Sequence, residues 1–370
     1  MRVGLLVPGS LDTLTGGYLY DRKLAEHLAA CGDDLEVMSI PLRSYARQLT
    51  DNFGDSVLRR IRDARLDVLV EDELSHPSVL RANRWLRSNV DIPKVTVVHV
   101  LRSDEHGRSR WRRLYAAAER AYLSSVDAAV FCCQATRDSA ETLLGRPIPG
   151  AVVHPACDHL PAGPPAAEVG RRAREPGPLR VLSVANVVPR KGLHLLVDAL
   201  SRLPRATWRL TVVGSTQMHP RYAQRVRRQV ERAGLGANVE LLGQLPNAEV
   251  GRRLGQAQVL AVPSYHEGLA IAYLEGMRQG LCVVAGTAGG AAEVIGHCRE
   301  GFLVPPGDVD ALAGHLARLA GDRELLASMS CAARERSGCL PGWAPAMEQA
   351  RQLLQSTVDR FAERRARSAS

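Results

Sequence analysis

Apolar residues in this chain fall into short runs separated by longer stretches in which apolar positions recur every three or four residues. Arg2 to Val7, Leu35 to Ser39, Asp67 to Val70, Lys94 to His99, Asp127 to Phe131 and Ala151 to Val153 read as buried strands. Amphipathic stretches between them, such as Tyr18 to Ala30 and Arg110 to Leu123, predict helices. Strands alternating with helices imply βαβ units and a largely parallel sheet. The pattern breaks at Pro161-Ala162-Gly163-Pro164-Pro165 and again at Glu175-Pro176-Gly177-Pro178, poor helix and strand formers that mark a linker. It then restarts with Leu179 to Val184, Trp208 to Val213, Val239 to Leu242, Val259 to Val262, Leu281 to Ala285 and Gly301 to Val304. The reading is α/β with two Rossmann-like, doubly wound parallel-sheet domains, residues 1–165 and 178–340, and a helix-like C-terminal segment, 341–370.

Length agrees with this division, since 370 residues suit two cores better than one. A content of 45% hydrophobic and 24% charged residues is that of a soluble globular protein. No apolar run approaches the ~20 residues that cross a bilayer. The first apolar run stops at Pro8-Gly9 before a signal-peptide core develops, so a cytoplasmic protein is expected. The eight cysteines are scattered in neither a metal-ligand pattern nor a disulfide framework, and Cys132-Cys133 is expected to pack at a strand end. The formal charge of +9 is concentrated in Arg108-Ser109-Arg110-Trp111-Arg112-Arg113, in Arg221 to Arg232 and in Arg360 to Arg367. That charge favours anionic ligands, or peripheral contact with an anionic inner membrane face. With aromatics at 4% and no nucleic-acid module in view, nucleic acid is not an expected partner.

The candidate chemistry centres on Glu267-Gly268-Leu269-Ala270-Ile271-Ala272-Tyr273-Leu274-Glu275, which follows a buried run and Pro263-Ser264-Tyr265-His266. A helix predicted to start near Gly268 offers unpaired N–H groups as a phosphate seat and puts Glu275 two turns in. The two carboxylates would then stand roughly 12 Å apart along the axis, too far to share one metal ion. Such a spacing suits a ligand with a polyol at each end and a diphosphate between, which describes a nucleotide sugar. In Val184-Ala185-Asn186-Val187-Val188-Pro189-Arg190-Lys191-Gly192 a strand ends, a loop presents two cations and a helix begins, as neutralising a diphosphate leaving group requires. Gly16-Gly17 precede the first helix and permit close backbone approach, but no G-x-G-x-x-G fingerprint follows, which argues against a nicotinamide dehydrogenase. His99 ends a strand ahead of Arg102, Asp104, Glu105 and His106. His154, His159 and His266 read as incidental, and no His/Asp/Glu spacing suggests a zinc site. Leu114, Tyr115, Ala118, Tyr122 and Leu123 recur at helical spacing and predict a buried helix face.

Ser264 to Glu275, followed by Ala288-Gly289-Gly290 and Glu293, resembles the signature of the retaining glycosyltransferases of family 4 (glycosyltransferase group 1), which have the GT-B fold. The resemblance implies two domains facing across a cleft, the first binding acceptor and the second donor, with a final helix from Trp343 crossing back to the first. It gives Glu267 the hydroxyls of the transferred sugar, Glu275 the ribose and Lys191 the phosphates. Arg190, Asn186, Gly214, Gly268, Leu269 and Ala270 complete the donor side it implies. On the acceptor side it places Gly16, Gly17, His99 and Arg102, with Glu267, His99 and Lys191 as the catalytic set and no metal or cofactor. Where the family often has Gly-Arg, this chain has Ala185-Asn186, which puts one phosphate contact in doubt. The implied activity is same-face transfer of a hexosyl group from a nucleoside-diphosphate sugar, UDP- or GDP-linked, to an acceptor hydroxyl. The acceptor would be a glycan, lipid or small molecule, in cell-envelope glycan, glycolipid or natural-product biosynthesis. The alternative is a non-catalytic sugar-nucleotide-binding or membrane-associated partner protein of the same fold.

Overall fold

Each of the apolar runs becomes a strand, and the twelve strands form two six-stranded parallel sheets. A computed structural model describes residues 1–54, 56–90, 92–105 and 111–369. Of the residues singled out above, His106, Arg108, Ser109 and Arg110 lie outside the described residues. The chain divides into one unit of Met1–Pro155 with Trp343–Ser370 and a second of Ala156–Gly342.

In the first unit, β1 (Arg2–Pro8), β2 (Asp34–Ile40), β3 (Val68–Asp72), β4 (Lys94–Val98), β5 (Ala128–Phe131) and β6 (Gly150–Val152) lie in the order β2-β1-β3-β4-β5-β6. Strands β3, β4 and β5 are buried along their whole length. Helices covering both faces of a parallel sheet demand this, and it explains why these segments are continuous apolar runs rather than alternating ones. Helix Gly16–Ala30 is capped by Thr15, and Trp343, at the start of the long helix Trp343–Ala369, packs edge-on against its Tyr20 with ring centres 5.7 Å apart. That last helix is fixed polarly as well: Arg351 pairs with Asp33 at 2.7 Å and Glu348 with His27 at 2.9 Å. In helix Arg112–Leu123, Tyr122 and Leu123 are buried and Tyr115 and Ala118 partly so, whereas Leu114 is 47% exposed and does not belong to the buried face expected of it.

The second unit holds β7 (Leu179–Val184), β8 (Trp208–Val213), β9 (Val239–Gly243), β10 (Val259–Val262), β11 (Cys282–Gly286) and β12 (Gly301–Val304), in the order β12-β11-β10-β7-β8-β9. Trp208, Tyr273 and Phe302 are fully buried in it. The stretch between the two proline clusters, expected to be a linker, contains a helix, Ala166–Arg174. Its prolines flank it, with Pro165 as an extended N-cap, so none interrupts a helical hydrogen bond. Val169 and Ala173 are buried, and the Arg172 guanidinium donates to the carbonyl oxygens of Gly255 at 2.8 Å and Gly280 at 3.0 Å.

Both sheets have a point where the strand order reverses: β1 lies between β2 and β3, and β7 between β10 and β8. Open parallel sheets bind ligands beyond the carboxyl ends of the strands at such points. Among the described residues no helix is long and apolar enough to cross a membrane.

Candidate functional site

At the switch point of the second unit, the loops leaving β7 and β10 are stitched together by their backbones. After β7 the chain makes a short helical turn, Pro189–Lys191, and reverses at Gly192, whose φ of +67° is open to glycine at little cost. A Cβ on Gly192 would stand 2.2 Å from the carbonyl oxygen of Pro263, so the two loops touch backbone to backbone. The Tyr265 N–H donates to the carbonyl of Arg190 at 2.8 Å. Beyond it, Glu267 donates its N–H to Ala288 at 3.1 Å, and the Gly290 N–H returns to the carbonyls of Glu267 at 3.2 Å and Gly268 at 2.8 Å.

This bridging holds Glu267 and Gly268 extended against residues 288–290, and it corrects the helix start predicted at Gly268. The helix is Ile271–Arg278, with Ala270 as an extended N-cap. Glu275 is therefore one turn into the helix rather than two, and the axial 12 Å spacing does not apply. No side chain caps this helix and its first turn carries no acid; the Tyr273 N–H turns back to the Ala270 carbonyl at 3.0 Å, and the N-terminus as a whole favours an anion.

The side chains brought together here are Arg190, Lys191, Ser264 and Glu267. Glu267 Oε2 accepts from Arg190 Nη1 at 2.9 Å, from Lys191 Nζ and from Ser264 Oγ at 3.2 Å. Arg190 Nη1 also donates to the His266 carbonyl at 3.1 Å. Burial opposes ionisation of Glu267, but the two adjacent cations outweigh it and hold the carboxyl down at about 2. Glu267 is thus a carboxylate at any physiological pH, standing between two positive charges, of which it offsets one.

Glu275 takes a partner that sequence reasoning had set aside as incidental. His159 Nε2 lies 2.9 Å from Glu275 Oε1, with both side chains largely buried. The Asn186 side chain is turned to a structural task, its Oδ1 accepting from the Ser215 N–H at 3.0 Å. Gly214, at φ +152°, would drive a Cβ to 2.0 Å from the Ala185 carbonyl, so this loop too is a close backbone contact. Leu269 is buried, and Ala270 is the N-cap residue of the helix Ile271–Arg278.

In the first unit, His99 follows β4 and its Nε2 stands 3.1 Å from Asp21 Oδ1. Gly17 lies against the imidazole, where a Cβ would come within 3.3 Å of it, and Tyr20 meets the ring edge-on at 5.3 Å. Burial disfavours the imidazolium, yet Asp21, Asp72 and Glu73 together push His99 up to about 9. Asp72 and Glu73 stand at the end of β3, beside the sheet's switch point. Burial pushes Glu73 up to about 8 and Glu119 up to about 7, each aided by a neighbouring carboxylate, and burial drives His76 down to about 4. The Arg102 backbone N–H donates to Glu119 at 2.5 Å, and the Arg102 guanidinium lies over Tyr45 and Tyr115, 5.1 and 5.2 Å from the ring centres.

Two groups in this region, Asp21-Asp72-His99 and the fully buried Glu73-His76-Glu119, each place ligand-type atoms within 4.8 Å of one another. Their geometry is that of proton donors with acceptors: His99 Nε2 faces Asp21, and His76 Nδ1 lies 2.9 Å from the Glu73 carbonyl. A cation would have to displace those protons.

The family described as glycosyl transferases group 1 matches residues 168–336, a span that contains the whole Arg190-Lys191-Glu267-Glu275 constellation. That match lies within the second unit, Ala156–Gly342. The chain is 32% identical over 178 residues to a GDP-mannose-dependent alpha-(1-6)-phosphatidylinositol monomannoside mannosyltransferase of Mycobacterium tuberculosis, a match covering 46% of this chain and 45% of that protein. It spans less than half the length of the first curated relatives it matches. In structure it is similar to sucrose-phosphate synthase from Thermosynechococcus elongatus, with a TM-score of 0.81 at 20% identity over 100% of both chains. It is similar also to Anabaena Alr3699/HepE in complex with UDP-glucose, with a TM-score of 0.74 at 20% identity over 96% of this chain and 100% of that one. The fold is GT-B; Arg190, Lys191 and Glu267 lie in the loops that follow β7 and β10, and Glu275 lies in the helix after β10.

Proposed function

We propose that this protein is a retaining, metal-independent glycosyltransferase that moves a hexosyl group from a UDP- or GDP-sugar to an acceptor hydroxyl. The observation that carries the reading is the Arg190-Lys191-Glu267 cluster beside an uncapped helix N-terminus at a sheet switch point. Two cations and the N–H groups of Ile271–Arg278 suit a diphosphate, and a buried, permanently ionised carboxylate suits sugar hydroxyls. As the sugar–phosphate bond breaks, negative charge grows on the diphosphate, and Lys191 and Arg190 stabilise it most at that moment. Transfer to the same face of the sugar follows if the departing phosphate takes the acceptor's proton. His99, charged at neutral pH, then serves as a hydrogen-bond donor and not as the base. UDP-glucose in Anabaena Alr3699/HepE and GDP-mannose in the name of the mycobacterial relative support the two donor classes.

A thermal-shift screen over UDP-, GDP-, ADP- and TDP-sugars tests the reading, because a ligand at 100 times its Kd stabilises by about 2.7 kcal/mol. Donor-dependent stabilisation without transfer or hydrolysis would leave the non-catalytic alternative standing. EDTA should leave most of the activity intact; a strict need for magnesium or manganese would sink the metal-free mechanism. Peripheral membrane contact belongs to the same proposal, since Trp111 is 51% and Leu114 47% exposed beside Arg112 and Arg113. Vesicles of phosphatidylglycerol should retain the protein and vesicles of phosphatidylcholine should not; equal retention would remove this part.

A further inference from the structure

We propose that His159 positions the Glu275 carboxylate for the ribose of the nucleotide, and so sets the enzyme's preference for ribose over deoxyribose donors. The inference rests on the reading of Glu275 as the ribose-binding acid and adds to it a residue from a distant part of the chain.

His159 stands 116 positions before Glu275 in sequence, in the short segment that opens the second unit. Its backbone is held from both sides: Ala156, Cys157 and Leu160 are all buried, and the Leu160 N–H closes a turn onto the Cys157 carbonyl at 3.2 Å. The imidazole has little freedom, being 7% exposed, and its Nε2 reaches Glu275 Oε1 at 2.9 Å. An ionised carboxylate can only accept, so Nε2 carries the proton and donates it.

Among the described residues, no other side chain is hydrogen-bonded to Glu275. A glutamate held only at its backbone samples several rotamers, and ordering it on binding costs about 0.5–1.5 kcal/mol. His159 removes that cost by fixing one oxygen in the ligand-free protein. Each carboxylate oxygen has two acceptor positions, so a bond from His159 to Oε1 leaves Oε2 and one position on Oε1 open. Two adjacent hydroxyls on one edge of a ribose present two donors to that remainder. Without them a partly buried carboxylate loses its hydrogen bonds, and that loss is a penalty the enzyme can use to reject deoxyribose. The role is one of positioning: His159 acts on the sugar through Glu275.

The test is calorimetry of UDP and GDP against their 2′,3′-dideoxy counterparts, on the full chain carrying His159→Ala, His159→Gln or Glu275→Ala. Wild type should favour the ribose form. His159→Ala should weaken the ribose nucleotides by up to about tenfold, the cost of ordering a carboxylate that is no longer fixed in advance. It should leave the dideoxy nucleotides within about twofold, since they do not use the fixed carboxylate. His159→Gln, which still offers an N–H, should recover part of the preference. If His159→Ala weakens ribose and dideoxy forms alike, the histidine is structural and the proposal falls. If Glu275→Ala erases the preference while His159→Ala keeps it, the ribose assignment of Glu275 survives and the role of His159 does not. Should Glu275→Ala itself keep the preference, the underlying assignment is wrong, and the proposal goes with it.

Discussion

Glu267→Gln should lower sugar transfer and the slow hydrolysis of donor together, by about 10²–10³, because both pass through a transition state centred on the same sugar. Free nucleoside diphosphate should bind the variant at least as tightly as wild type, since Arg190 and Lys191 lose the internal acid that now shares their charge. The stability consequence has a definite sign. Glu267 is held down from 4.5 to about 2, so its contribution is fully present above pH 4.5 and is lost as the pH falls toward 2. That contribution is up to about 3 kcal/mol at neutral pH. Melting curves of wild type and variant should therefore differ most above pH 5 and converge toward pH 2. A gap that stays constant through this window would remove the electrostatic account. Weaker nucleoside diphosphate binding by the variant would instead show that Glu267 orders the cations.

His99→Ala should lose transfer while donor binding, measured by calorimetry, stays nearly normal, because His99 and the donor cluster belong to different units. Folding stability should also suffer, by about 3–5 kcal/mol at neutral pH, since Asp21 is fully buried and would lose its charged partner. Here the sign is opposite to that of Glu267. His99 is pushed up from 6.5 to about 9, so its contribution is complete below pH 6.5 and fades as the pH rises through 9. The stability gap between wild type and variant should narrow between pH 6.5 and 9. Equal loss of donor binding in His99→Ala and Glu267→Gln would contradict the division of labour and return His99 to a structural role.

The strands were legible because each is a short apolar run, and β3, β4, β5, β10 and β11 are buried along their whole length, so that they stand out without tertiary information. The Arg190-Lys191 and Glu267 loops were legible for a related reason: they directly follow the runs Leu179 to Val184 and Val259 to Val262, and strand ends are where this class of sheet keeps its chemistry. What the sequence did not disclose depends on residues far apart in it. The helix after Glu267 starts three residues late because residues 288–290 compete for the Glu267 and Gly268 carbonyls. His159 looks like any histidine after a proline-containing turn until the fold sets it against Glu275. The helix Ala166–Arg174 was hidden by the prolines on either side, which read as a linker although they only frame it. The buried acids Asp72, Glu73 and Glu119 carried no signal, since a carboxylate in an apolar context is visible only once its neighbours are known.

The bonds from Tyr265 to Arg190, from Glu267 to Ala288 and from Gly290 back to Glu267 run through peptide groups alone. They join the ends of β7, β10 and β11 into one rigid frame, and the charged side chains hang from it. Point substitutions can change what the frame carries without changing where it stands. The electric field at the cluster is in this way built during folding, before any ligand arrives; in the proposed reaction a departing phosphate would meet charges already in place and would be spared the reorganisation that water would undergo around it.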